Sequence, residues 1–155
     1  MQKLKKEVQF VVDVYKSGDF VKAEQLAKSL IKNNPKVVFL YNLLGLILVE
    51  QNKIDEAIKC YEMGIKVDAN FSMIYNNLGL LHFKYKTETD IKKIENFYKK
   101  AIELDKNLPE AENNLGSLYN HINKIDDAIN CYKNAIKINP KFSFAHHNLG
   151  SAYVS

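Results

Sequence analysis

Asn76-Asn77-Leu78-Gly79 returns as Asn113-Asn114-Leu115-Gly116, nearly returns as His147-Asn148-Leu149-Gly150, and has a weaker copy in Asn42-Leu43-Leu44-Gly45. The four glycines are spaced 34, 37 and 34 residues apart. Self-similarity at a fixed period of this size marks a helical solenoid, in which each repeat buries its apolar face only against its neighbours.

The rest of the repeat is laid out from the glycine. Ala57, Tyr61 and Gly64 follow Gly45 at 12, 16 and 19 residues, and Ala128, Tyr132 and Ala135 follow Gly116 at the same offsets. After Gly79 the series comes three residues late, in Ile94, Tyr98 and Ala101, which places an insertion in the turn between Tyr85 and Asp90. Insertions go to turns because packed faces cannot absorb them. Ile54, Ala57, Ile58, Tyr61 and Ile65 keep the three-and-four spacing of an amphipathic helix, as do Ile125, Ala128, Ile129, Tyr132 and Ile136. Asp55, Asp126 and Asp127 put negative charge in first turns, where the helix dipole favours it. Asn34-Pro35 and Asn139-Pro140 are expected to end one helix and open the next. Glycine inside a helix costs about 1 kcal/mol relative to alanine, so a position repeatedly given to glycine predicts a close approach of two helix backbones.

Composition bounds the function. The chain has 155 residues, 46% apolar and 26% charged, as expected of one folded domain over 1–155. All 22 basic residues are lysine, spread along the chain among 18 acids. Without the guanidinium fork and without a basic patch, neither a nucleic-acid nor a membrane partner is expected. No segment approaches the length of a membrane span and no signal-peptide core is present, so the expected compartment is the cytoplasm. Cys60 and Cys131 occupy one position in two different repeats, too far apart for a disulfide, and read as small apolar packing residues. His82, His121, His146 and His147 form no pair with ligand spacing, and no glycine loop precedes a helix to cradle phosphate. Neither enzyme activity nor any metal or cofactor is expected.

The pattern resembles the tetratricopeptide repeat, a 34-residue helix-turn-helix unit. The resemblance is carried by Leu44-Gly45, Leu78-Gly79, Leu115-Gly116 and Leu149-Gly150, with Tyr119, Tyr153, Ala57, Tyr61, Ala128, Tyr132, Pro35 and Pro140. It lays repeats over about 4–37, 38–71, 72–108 and 109–142, with a half-repeat at 143–155. The first copy is degenerate, with Val11 at the glycine position, and the tryptophan frequent four residues before the glycine is replaced by Tyr41, Tyr75, Glu112 and His146. The resemblance implies an all-α fold, a right-handed α-α superhelix of antiparallel helix pairs with about nine helices. The last copy stops after its first helix, as either a natural cap or a break in a longer protein; the full-repeat character of His146, Leu149 and Tyr153 favours the second.

In such proteins the first helix of each repeat lines a concave groove that binds protein or peptide. The groove positions implied here include Asn42, Asn76, Asn77, Asn113, Asn114 and Asn148, with Phe39, Leu43, Leu46, Met73, Leu80 and Phe83. Asn77, Asn114 and Asn148 recur two residues before the glycine, a ladder similar to that in O-linked N-acetylglucosamine transferases, where it holds peptide backbone. An amide side chain offers both donor and acceptor, so it suits backbone of any sequence. The apolar residues form a half-groove that fits an extended segment or an amphipathic helix. The lysine and arginine clamp of repeats that bind the acidic C-terminus of heat-shock chaperones is missing, since Met73, Asn77, Glu110 and Asn114 stand at its positions. A protein-binding scaffold is the first reading. The second is a recruitment domain at the N-terminus of a larger enzyme such as a glycosyltransferase or sulfotransferase. The third is a homo-oligomer assembled through the apolar half-groove.

Overall fold

In a computed structural model the described residues are 2–85 and 90–154, so the expected three-residue insertion, at 86–89, lies outside them. The described residues contain nine α-helices and no strand: α1 (Gln2–Lys16), α2 (Phe20–Asn33), α3 (Val38–Glu50), α4 (Ile54–Val67), α5 (Ser72–Tyr85), α6 (Ile91–Leu104), α7 (Pro109–His121), α8 (Ile125–Ile138) and α9 (Ser143–Ala152). The all-α reading holds. Contacts gather in two compact units, Met1–Ile74 and Tyr75–Ser155.

The turns between α1 and α2, α3 and α4, and α7 and α8 are each set by one residue in the left-handed region. Gly18, Asn52 and Asn123 have φ of 85°, 59° and 60°. After α3, the Asn52 N–H donates to Val49 O and the Lys53 N–H to Leu48 O, both at 2.9 Å. After α7, the Asn123 N–H donates to Asn120 O at 3.1 Å and the Lys124 N–H to Tyr119 O at 2.8 Å. This is the Schellman closure, which satisfies carbonyls that the helix end leaves open. Glycine and asparagine tolerate the conformation best, which is why they stand there.

In the first unit the core holds Val11, Leu40, Ile47, Ala57, Tyr61 and Ile74. A β-carbon on Gly45 would collide with the Tyr61 ring, and one on Gly64 would come within 2.5 Å of Ile74 Cδ1. At Gly45 and Gly64 the nearest atoms are those of side chains, at Gly45 an aromatic ring, whereas the expected approach of a second backbone is found at Gly116, where the added carbon would also lie 3.2 Å from Ala128 O. Glu24 on α2 is nearly buried and accepts from Lys53 Nζ and Gln51 Nε2, both at 2.8 Å, besides Lys28 four residues on. Hydrogen bonds from Lys28 and then Lys53 hold its carboxyl down to about 2. This network ties α2 to the turn between α3 and α4.

In the second unit Ile94, Tyr98, Leu118, Ala128 and Tyr132 are the centre of the core. The same ring-for-methyl exchange recurs: a β-carbon on Gly79 would lie 2.7 Å from Tyr98, and one on Gly116 2.6 Å from Tyr132. Glu95 accepts from Lys99 Nζ at 2.6 Å and from Tyr119 Oη at 2.8 Å, and these partners, Lys99 first, hold its carboxyl below the usual range.

The prolines are redistributed relative to expectation. Pro109 is the one that opens a helix, where its missing N–H costs nothing. Pro35 and Pro140 stand in turns ahead of α3 and α9. Their carbonyls are held from six residues on: Tyr41 Oη donates to Pro35 O at 3.0 Å, and His146 Nε2 lies 2.9 Å from Pro140 O.

Candidate functional site

The recurrent Asn-Asn-Leu-Gly segment places two amides side by side on α5 and again on α7, with Asn148 following on α9. The structure connects them. Asn114 Nδ2 donates to Asn76 Oδ1 at 2.9 Å, and Asn148 Nδ2 donates to Asn113 Oδ1 at 2.9 Å. Asn114 and Asn148, each two residues before a glycine, thus reach back to the asparagine three before the preceding glycine. The acceptors are the more buried members, Asn76 and Asn113 each being 7% exposed, while Asn77, Asn114 and Asn148 are half-buried. An amide has two N–H donors and a carbonyl with two lone pairs, so Asn114 and Asn148 keep an N–H and their carbonyl oxygens beyond these bonds.

Asn76, Asn77, Asn113 and Asn114 floor a cleft of about 530 Å³ inside the second unit. Leu80 and Phe83 of α5 form one apolar wall; Phe142, from the turn before α9, and Phe144, from its first turn, form the other. The two phenylalanine rings of that second wall lie 5.9 Å apart and tilted. Phe83 meets the His121 ring edge-on at 5.4 Å. Ser117 stands on the floor with its hydroxyl donating to Asn113 O at 3.0 Å. Lys84 and Glu110 bring one charge of each sign to the rim.

Of the twelve residues the sequence nominates, Asn76, Asn77, Leu80, Phe83, Asn113 and Asn114 line this cleft. Asn148 is joined to its floor through Asn113. Asn42, Leu43, Leu46, Phe39 and Met73 belong to the first unit. There Asn42 and Leu43 are core residues, 2% and 4% exposed, whereas Phe39 and Met73 are 39% and 42% exposed and Leu46 is half-buried. Phe142 is the lining residue that nothing in the spacing singles out. It stands eight residues before Gly150, a place held by Val37, Phe71 and Leu108 in the other copies.

Behind the floor, Glu112 replaces the aromatic residue of other copies. Burial raises its carboxyl, and hydrogen bonds from Asn134 and Cys131 oppose that rise. Cys60 and Cys131 are both free and buried, and desolvation pushes each thiol up to about 12. A second hollow, of about 500 Å³, lies along α6 beside Lys92, Lys93 and Lys100. The N-terminal amides of α6 are already bound by the Asp90 carboxylate, at 2.9 Å from Lys92 N and 3.3 Å from Lys93 N. Among the described residues no three metal-ligating side chains gather, and no helix is long and apolar enough to cross a membrane.

Comparison with known proteins gives a consistent picture. A family model described as a TPR repeat matches residues 45–85 and 116–155, more than half of the chain. The uncharacterized protein ycf37 of Pyropia yezoensis is 32% identical over 79 residues, which is 51% of this chain and 43% of that protein. The chain therefore matches less than half the length of that relative. Among solved structures, a thermophilic TPR protein of Thermus thermophilus superposes with a TM-score of 0.80 at 20% identity, covering 94% of this chain and 78% of the other. The first TPR of Spaghetti (RPAP3), solved bound to the HSP90 peptide SRMEEVD, superposes with a TM-score of 0.69 at 21% identity, covering 76% and 90%.

Proposed function

Because the chain belongs to the tetratricopeptide repeat family, we propose that it is a protein-interaction module that holds an extended peptide segment in the cleft of its second unit. The observation that carries this reading is the cleft itself, which joins an amide floor to two apolar walls. Asn77, Asn114 and Asn148 bind backbone through their amides, Asn114 and Asn148 with the valences they keep beyond their own pairing, and Leu80 and Phe83 take an apolar side chain. The Spaghetti repeat bound to an HSP90 peptide is a neighbour of the same fold that holds a peptide. The occupant here differs from that acidic peptide, since Glu110 stands on the rim where a cation would be needed.

Selection from a random-peptide display library tests the proposal. The wild-type chain enriches a set of peptides, and Leu80→Asp, which puts a charge in the apolar wall, loses them while its helix content stays the same. Absence of enrichment, or equal enrichment by the variant, would overturn the reading.

A second reading rests on the exposed Phe39 and Met73 of the first unit. A contiguous exposed apolar patch is commonly covered by a partner, and in this reading Phe39 and Met73 belong to such a patch, covered by a second copy of the chain. Light scattering across concentrations should then give a dimer or larger assembly, and Leu46→Glu a monomer. A wild-type monomer at all concentrations removes this reading.

A further inference from the structure

The cleft is electrically asymmetric, and the asymmetry follows from how α5 and α7 lie. Two contacts fix their relation: Asn76 with Asn114, and Phe83 with His121. Each second residue follows the first by seven positions on its own helix, so the two helices run parallel and in register. Lys84 lies eight residues past Asn76, and Glu110 four residues before Asn114. At ~1.5 Å of rise per residue the two charges stand about 18 Å apart along the helix axes, at opposite ends of the cleft. Both are exposed, and neither has a salt bridge or hydrogen bond with another described residue. The His121 ring lies against Phe83 at the Lys84 end, while Phe142 and Phe144 line the same cleft as Glu110.

Resting on the peptide reading of this cleft, we propose that its occupant is bipolar: an extended segment with a basic side chain at Glu110, an acidic one at Lys84, and an apolar side chain between them. A strand advances ~3.3 Å per residue, so the two charges of the ligand are about five residues apart. Lysine or arginine suits the Glu110 end, because a cation gains from a carboxylate and from aromatic faces together. Opposite charges at the two ends also fix the direction in which the segment lies, which uniform amides cannot do.

Four pools of nine-residue peptides test this, each with a central phenylalanine, random intervening residues and charges five positions apart: Lys then Glu, Glu then Lys, two Glu, or two Lys. Binding to the full chain is read by fluorescence anisotropy at low salt. One of the two bipolar pools should exceed both like-charged pools by about ten-fold, roughly three-fold from the attraction gained and three-fold from the repulsion removed at the one end where they differ, and the margin should shrink as salt rises. The exchange variant Lys84→Glu/Glu110→Lys should prefer the opposite bipolar pool. It alters only exposed side chains, so helix content is expected to stay unchanged. Equal binding of all four pools, or a preference that the exchange leaves in place, overturns the bipolar ligand and leaves the peptide cleft standing. No binding by any pool removes the peptide cleft as well.

Discussion

The Tyr132 ring occupies the space that a β-carbon on Gly116 would need: the two would meet at 2.6 Å. The ring is almost fully buried, so it cannot swing away. Gly116→Ala should gain about 1 kcal/mol in helix propensity and lose more than that through displacement of the tyrosine, for a net destabilisation of about 1–3 kcal/mol. Gly150 has the same place in its repeat and nothing within 4 Å of the added carbon. Gly150→Ala should therefore raise stability, by up to ~1 kcal/mol. Urea midpoints compare the two, and shifts of the same sign would refute the ring-packing account.

Glu24 makes stability depend on acid. Its carboxyl is held down to about 2, against 4.5 when unperturbed. A depressed folded pKa contributes stability that is complete above the unfolded value and fades as pH falls from about 4.5 toward 2. Glu24→Gln should cost about 1–3 kcal/mol at pH 7, and the gap from wild type should narrow below pH 4.5. Urea titrations at pH 7, 4 and 3 measure it; a gap independent of pH would mean that the carboxylate charge contributes nothing.

Asn148 supplies a donor to the buried Asn113 carbonyl. Asn148→Ala should cost about 1 kcal/mol by leaving that acceptor without its partner. Asn148→Asp should cost more, because an ionised carboxylate set against another oxygen can only accept. Thermal denaturation ranks the three proteins, and an aspartate variant as stable as wild type would show that the amide pair is not formed.

The Tyr98 hydroxyl is buried and has no hydrogen-bond partner among the described residues. Removing an unsatisfied buried hydroxyl is neutral or favourable, so Tyr98→Phe should be as stable as wild type or up to ~1 kcal/mol more so. Tyr119→Phe removes a hydrogen bond to Glu95 and should lose about 1 kcal/mol. Equal effects of the two substitutions would contradict the difference in their surroundings.

Much of this architecture was legible in the sequence because it is repetitive. An offset of 16 residues from Gly45 to Tyr61 and from Gly116 to Tyr132 marks two positions that serve one purpose. The spacing could not say which atoms meet, and the contact is ring against backbone. The asparagine ladder was visible as a ladder, but its bonds were not. Asn114 reaches Asn76 only because two helices distant in sequence lie parallel and in register, and no local pattern encodes that. Leu43 was read as a groove residue from its offset alone, and burial withdraws it from the surface. Phe142 was missed because it stands in a turn, outside the helical periodicity that identifies the other wall residues.

The amide pairs along α5, α7 and α9 have a consequence for rates and heats. Rotamers that are chosen during folding need not be chosen again when a ligand arrives. Association should therefore proceed near the ordinary rate for preformed surfaces, about 10⁵–10⁷ M⁻¹s⁻¹, with no slow isomerisation following the encounter. In the proposed peptide complex the entropy lost on binding would belong mostly to the incoming segment, so stiffening that segment should give a longer-lived complex.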